Sequence, residues 1–368
     1  MHGIEGTQES RADFSVWIDV PCRSAYSIVS CTREGLIVGT EYWQIAAGSA
    51  GRDYSDRFIR LGMAFVGGDA QIATMDQVAV GDVMVLKAGL SKVLAAGEVV
   101  QRNGVHKGNG DKPWLRDFDG WDLPAYCYVD WRVPETPVEA DGLTQATIQK
   151  LPQEKHRQLA DLLLALPPRE HEPEPAPTCE VTDEEILEFL ISVGLRPSAA
   201  EELTATVRRI RLLADYYYKY CWGQVHEHET RTFLVVPLLI ALGWAEQQMK
   251  IELSCSKGRI DVACFYRAYR GDNRECVVMI ETKDFSSGLD YAPDQARRYA
   301  EDFPTCQVLV VSNGYCYKTY LRSKAAGFSN IPSAYLNIIR PRDRYPLDPA
   351  RVEGALGVLK WLLPASLR

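Results

Sequence analysis

Apolar and polar positions follow two rhythms along this chain, and the change of rhythm marks its parts. Residues 14–20 alternate strictly, as a half-buried strand does. Residues 37–46, 78–87 and 92–100 form short apolar runs separated by Gly-Asp and Ala-Gly-Leu-Ser turns, which predict a small, strongly curved β-barrel. A helix is expected over 54–65 among these strands. A glycine-rich loop follows at 104–110, then a strand over 125–133. The period becomes helical over 144–166, with Leu159, Leu162, Leu163 and Leu166 on one stripe. Residues 167–177 are rich in proline and glutamate and read as a stiff linker. Helices are then expected over 183–193 and 199–220, the second ending in the tyrosine cluster 216–220. An amphipathic helix opens at His226 and runs into the apolar stretch 235–244. Strands over 259–266 and 276–284 flank the turn residues Gly271, Asp272 and Asn273. A helix over 294–300, a buried strand over 307–312 and a closing helix over 349–363 complete the pattern.

The chemistry concentrates in the hairpin. Side chains two apart on a strand share a face, so Glu281 and Lys283 point one way and Thr282 the other. If the strands pair about the Gly-Asp-Asn turn, Asp261 lies near Glu281. The long, charged loop leaves that register open. Two carboxylates and an ammonium at one patch suit metal-assisted phosphodiester cleavage. Magnesium takes one or two protein carboxylates plus waters and phosphate oxygens, and a lysine orients the attacking water or offsets charge in the transition state.

The flanking segments sharpen this reading. In order they are Glu227 to Arg231, Pro237 to Trp244, Gly258-Arg259-Ile260-Asp261, Glu281-Thr282-Lys283, Gln295 to Tyr299, and Val310-Val311-Ser312-Asn313-Gly314. This series resembles the PD-(D/E)XK nuclease superfamily, and within it the nuclease domain at the N-terminus of type I restriction enzyme R subunits. The resemblance covers residues 224–322. It implies metal ligation by Asp261, Glu281 and the Thr282 carbonyl, and water activation or charge stabilisation by Lys283. The helix carboxylate of the family aligns with Glu227, with Glu229 as the alternative. Gln295 and Tyr299, on one helix face, would position the lysine or a substrate phosphate. Mg2+ is the implied cofactor, with Mn2+ able to substitute.

Over the first part of the chain, Tyr42-Trp43-Gln44-Ile45, Val80-Gly81-Asp82-Val83-Met84-Val85-Leu86, Ala95-Ala96-Gly97-Glu98-Val99 and Asp119-Gly120-Trp121-Asp122-Leu123 resemble the PUA-like barrels of the EVE and YTH branch. That resemblance implies a pocket for a modified base flipped out of its strand. Trp17, Trp43, Tyr54, Trp114 and Trp121 are the candidate stacking residues, since aromatic faces hold an extruded base; ordinary barrel packing is the competing use of each. Arg52, Arg57 and Arg60 are candidate phosphate contacts. The fold class expected is therefore multidomain α+β: a PUA-like sensor barrel over 1–140, a helix and linker over 141–180, a helical connector over 181–222, and an α/β PD-(D/E)XK domain over 223–368.

Composition narrows the function. At 368 residues and 46% hydrophobic content the chain supports more than one core. No apolar run approaches the roughly twenty residues of a membrane span, and no signal-peptide layout opens the chain, so a cytoplasmic protein without membrane contact is expected. The ten cysteines form no Cys-x-x-Cys pair and read as reduced core thiols. No phosphate loop is present, so ATP is not expected as a cofactor. A net charge of −8 is unlike an avid nonspecific DNA binder and suits a nuclease that acts on condition. A modification-dependent DNA endonuclease of restriction or antiphage defence, working as a homodimer, is the expectation. The alternatives are a nuclease triggered by a small nucleotide ligand or a partner, a nuclease acting on RNA, and a non-catalytic nucleic-acid binder.

Overall fold

The expected barrel strands assemble into an eight-stranded sheet that curls into a half-barrel. A computed structural model describes residues 39–49, 52–323 and 327–367; the expected strand at 14–20, with Trp17, lies outside these residues. The principal strands are β1 (Tyr42–Ala46), β2 (Met63–Val66), β3 (Val83–Ala88), β4 (Lys92–Val99), β5 (Ala125–Arg132) and β6 (Ile148–Lys150). They lie in the order β6-β1-β3-β4-β5-β2. The β1–β3 pairing is parallel and the others are antiparallel.

Local chemistry sets the element ends. The helix expected over 54–65 is α1 (Ser55–Leu61) alone, because Gly62 takes the left-handed conformation (φ 60°) that closes a helix. The chain then enters β2, all of whose residues are buried. In the turn before β3, Gly81 has φ 86° and presents the Asp82 carboxylate inward. Asp82 accepts from the Glu41 and Ala79 amides at 3.1 and 2.9 Å and from Trp43 Nε1 at 2.9 Å. Trp43, 1% exposed, is thereby a core residue and not a stacking surface.

The helical stretch expected over 144–166 divides at Pro152. Residues before it add β6 to the sheet edge, and α2 (Glu154–Leu164) follows. Leu163 is buried against β3 and β4, whereas Leu162 is 72% exposed, so the expected leucine stripe is narrower than its spacing suggests. The proline-rich segment lies against the half-barrel. The Arg169 amide donates to Trp131 O at 2.7 Å and the Glu172 amide to Arg60 O at 2.6 Å. The Glu174 carboxylate accepts from Lys112, Trp114 and Tyr128. Residues 40–368 form one compact unit.

The second sheet begins after α3 (Asp183–Ser192) and α4 (Pro197–Tyr220). A reciprocal capping box between Thr182 and Glu185 starts α3, and Pro at the first position starts α4. The sheet runs β7 (Met249–Cys255), β8 (Gly258–Phe265), β9 (Cys276–Thr282), β10 (Val308–Ser312) and β11 (Cys316–Ser323), with β12 (Ala334–Asn337) also on β11. Helix α5 (Ala292–Ala300) crosses between the parallel pair β9 and β10. Both strands are buried along their whole length, which explains their unbroken apolar sequences. The closing helix, expected over 349–363, is α6 (Ala355–Leu362).

Gly314, just past β10, sits at φ 90° against the helical segment that carries Glu227. A Cβ there would stand 2.5 Å from Leu234 Cδ1 and 2.8 Å from Thr230 Cγ2. Gly314→Ala is expected to destabilise the fold by about 2 kcal/mol or more, combining backbone strain with displacement of that segment. Urea unfolding measures the loss, and a change below about 0.5 kcal/mol contradicts this packing.

The two sheets are joined by buried polar bonds centred on the loop 117–122. Asp117 Oδ1 accepts from Tyr335 OH and Asn337 Nδ2, both at 2.9 Å, and from the Gly120 amide at 3.0 Å. Asp119 receives Lys318 Nζ at 2.6 Å and Tyr345 OH at 2.7 Å.

Candidate active site

The site forms where β8 and β9 run out beside the helical segment 227–241. The β8–β9 ladder pairs Val262 with Ile280, with a register shift only near Cys264 and Phe265. Asp261 and Glu281 are the next residue on each strand, so the register left open by the sequence brings the two carboxylates to one place. Asp261 Oδ2 accepts from the Thr282 amide at 2.6 Å and from Thr282 Oγ1 at 3.0 Å. Its Oδ1 accepts from Arg231 at 3.0 Å. Glu281 Oε1 accepts from Lys283 Nζ at 2.6 Å. Lys283 Nζ makes a long 3.5 Å contact with Gln295 Oε1, and Gln295 Nε2 donates to Tyr299 OH at 2.9 Å. The Lys283 amide donates to Ser312 O on β10, which fixes the end of the strand.

The helical segment places Glu227 and Glu229 differently. Glu229 turns back to accept from the His226 amide at 3.0 Å through one carboxylate oxygen. Glu227 is left facing Asp261 and Lys283. Its amide donates to Asp284 Oδ1 at 2.8 Å. The segment expected as one helix is an α-turn over Glu227–Thr230, a π-turn over Arg231–Val235 and a second α-turn over Val236–Ala241. Pro237, which lacks an amide hydrogen and cannot continue a regular ladder, follows the π-turn. Arg231 begins that turn and spans Asp261 and Glu252, the latter at 2.8 Å.

The electrostatics are those of a crowded acidic cluster. Burial, and then the Asp261 charge, push the Glu281 carboxyl up to about 7, against the pull of Lys283. Glu227 is also raised, by burial and by Asp261. Burial works to lower Lys283, yet its bond to Glu281 and the surrounding carboxylates hold it above the usual lysine value. Glu281 is 4% exposed, and its Oε2 has no hydrogen-bond partner among the described residues. An orphaned buried carboxylate oxygen is costly, and a divalent cation would satisfy it. Among the described residues no group of three or more His, Cys, Asp or Glu side chains is spaced to hold a metal ion unaided. Two carboxylates, Asp261 and Glu281, with the Thr282 carbonyl, fit the sparse donor set of magnesium better than the closed set of a structural zinc.

The expected base-stacking residues separate into two groups. Trp43 and Trp114 are consumed by packing; Trp114 donates to Glu174 and lies against Phe65 and Phe118. Tyr54 and Trp121 line a cavity of about 370 Å³. Arg52 lies over the Trp121 ring at 3.1 Å and also lines it. Arg57 donates to Leu347 O, and Arg60 pairs with Asp56 and Glu172; both also line a second cavity, away from Trp121. From the other sheet's side the cavity is closed by Tyr218 and Trp222, the latter edge-on to Trp121 at 4.9 Å. Tyr218 belongs to the tyrosine cluster; Tyr216 and Tyr220 are exposed on the same helix.

Sequence reasoning missed Arg231 as a partner of Asp261, Asp284 as the anchor of the Glu227 amide, and Trp222 in the cavity wall. The four-residue step from Glu227 to Arg231 was the available signal for the first. The others depend on contacts between distant segments. No protein-family model, curated protein or solved structure compared with this chain matches it, and among the described residues no helix is long and apolar enough to cross a membrane.

Proposed function

We propose that the chain is a metal-dependent DNA endonuclease, directed by the half-barrel cavity to a modified base, of the kind used in restriction or antiphage defence. The observation that carries this reading is the cluster Asp261, Glu281 and Lys283, with a buried Glu281 oxygen that has no partner among the described residues. The PD-(D/E)XK-like order of motifs and the PUA-like barrel motifs support it from the sequence. Asp261, Glu281 and the Thr282 carbonyl would hold Mg2+ or Mn2+, which when bound polarises the scissile phosphate and lowers the pKa of a coordinated water. Arg231 and Thr282 fix the orientation of Asp261. Lys283 holds a proton at Nζ beside Glu281 and is positioned by Gln295, so that it orients the water and offsets charge on the phosphate. Glu227, whose carboxyl burial and Asp261 raise, is the group that would accept a proton from the attacking water. A homodimer would bring two such sites to the two strands.

Single-turnover cleavage of DNA tests the assignment. Lys283→Ala and Asp261→Ala are each expected to slow cutting by about 10²-fold or more. Mn2+ affinity should survive in the lysine variant and fall in the aspartate variant. Undiminished cutting by either would refute the assignment. A second reading, a nuclease triggered by a free nucleotide, is favoured by one observation: Tyr218 and Trp222 close the cavity from the nuclease side.

A further inference from the structure

Arg52 is the odd group in the cavity. It is 6% exposed, yet among the described residues no carboxylate lies within ion-pair distance of it. Among the described residues its guanidinium has one hydrogen bond, from Nη2 to Ser286 O at 3.2 Å, and its buried Nε–H has no partner. Stacking on Trp121 is worth about 1–2 kcal/mol when desolvated, and the charges of Asp119 and Asp290 act on the guanidinium through space without bonding it, whereas a buried guanidinium is ordinarily hydrogen-bonded as well as charge-compensated. Such a group stays inside when a ligand completes its bonding. The rest of the wall suits a flat ring. Phe58, Phe65 and Val66 are apolar, while Trp121 Nε1 is a second buried donor with no partner among the described residues. A mostly apolar cavity of this size with a few polar side chains in its wall is the usual form of a small-ligand site.

The same arginine touches the catalytic strand's exit. Ser286 lies three residues past Lys283, in the loop that also carries Asp284, the anchor of the Glu227 amide. The next residue, Asp53, donates its amide to Asp290 Oδ2 at 3.3 Å in the same loop. A parallel aromatic route runs from Trp121 to Trp222 and on to Phe285, whose ring is 6.1 Å from Trp222 and whose amide donates to Val225 O. A ligand in the cavity and the loop after Lys283 therefore share one side chain.

We propose that Arg52, which lines the cavity and holds Ser286 O, passes occupancy of the cavity by a planar heteroaromatic ring to the loop 284–290 behind Lys283. The binding half stands by itself; only the consequence for cleavage rests on the nuclease reading. The ring comes from a base extruded from DNA or from a free nucleoside. Arg52 is a positioning residue in this scheme and touches no reacting atom.

The test uses the full chain. Deoxycytidine, 5-methyldeoxycytidine, 5-hydroxymethyldeoxycytidine, deoxyadenosine and N6-methyldeoxyadenosine, and duplexes carrying the same bases, are titrated by tryptophan fluorescence. Hydrogen exchange of residues 283–290 is followed with each. Saturable quenching by at least one probe, at least tenfold weaker in Gln71→Trp, is expected. Gln71 lines the cavity and is half-exposed, so this variant fills the space without removing core packing. Exchange over 283–290 should slow severalfold on binding to the wild type and stay unchanged in Arg52→Ala. Quenching by duplexes alone identifies an extruded base, and quenching by free nucleosides identifies a small ligand; both support the cavity. No quenching by any probe overturns the proposal, as does binding that leaves 283–290 unaffected or affects it equally in Arg52→Ala. These readouts need no cleavage. Binding and relay without cutting would remove the nuclease reading alone, and cutting without binding would remove this proposal alone.

Discussion

Glu281→Gln is expected to abolish cleavage and, without divalent cations, to make the folded chain more stable above pH 7. The two effects have one cause. In the wild type the Glu281 carboxyl titrates at about 7 instead of the ordinary 4.5, because it is buried beside Asp261. Between those values the folded chain holds a proton at Glu281 that the unfolded chain has released, so this group's contribution to stability is most favourable below pH 4.5 and falls as pH rises to 7. A shift of that size corresponds to roughly 3 kcal/mol. Glutamine removes the titration but also the ion pair with Lys283, so the net gain at pH 8 is about 1–2 kcal/mol. Urea unfolding in EDTA at pH 5 and pH 8 measures it. The wild type should lose stability between the two, and the variant should lose much less. Equal pH dependence in both would mean that Glu281 is an ordinary solvated carboxylate. Stability given up for an unsatisfied charge is what a site built for a cation requires.

Lys318→Met is expected to destabilise the fold by about 3–5 kcal/mol, as removal of one partner from a buried pair does. Lys318 on β11 and Asp119 in the loop 117–122 are 7% and 5% exposed, with Nζ–Oδ2 at 2.6 Å. Lys318 also reaches Asp290 at 3.3 Å. Burial works to raise Asp119, but the Lys318 charge and the bonds from Lys318 and Tyr345 outweigh it and hold the carboxyl below its usual value. Without the lysine, the buried Asp119 and the half-buried Asp290 lose their counter-charge. Lys318→Met/Asp119→Leu should recover much of the loss, because it removes the stranded charge with its partner. A single-variant cost under about 1 kcal/mol would mean that the pair is solvated and does not hold the sheets together. Since Asp290 shares the lysine and lies in the loop behind Lys283, the single variant should also slow cleavage at temperatures where it remains folded.

The cluster was legible in the sequence because its geometry is local. Alternation along β9 put Glu281 and Lys283 on one face, and the turn residues suggested the hairpin that places Asp261. Helical spacing from Arg231 put Glu227 first and left Glu229 as the alternative; that Glu229 turns back to the His226 amide depends on how the helix starts. Arg231 reaches Asp261 only through the π-turn before Pro237. The Lys318–Asp119 pair spans 199 residues, and no periodicity carries such a contact. In the half-barrel, strand positions followed from apolar runs, but the role of each tryptophan did not. Asp82 claims Trp43 and Glu174 claims Trp114, while Trp121 lines the cavity. The stretch 144–166 misled because three residues before Pro152 answer to the sheet edge, an environment that intrinsic helix propensity does not contain.

Cleavage of matched phage DNAs, with and without modified cytosine or adenine, in Mg2+ or Mn2+ and beside Lys283→Ala, tests the central claim most directly. The account predicts cutting confined to modified DNA, dependent on the metal and lost in the variant. A well-folded wild type that cuts no DNA with either metal, or a Lys283→Ala protein that cuts as fast as the wild type, would contradict it.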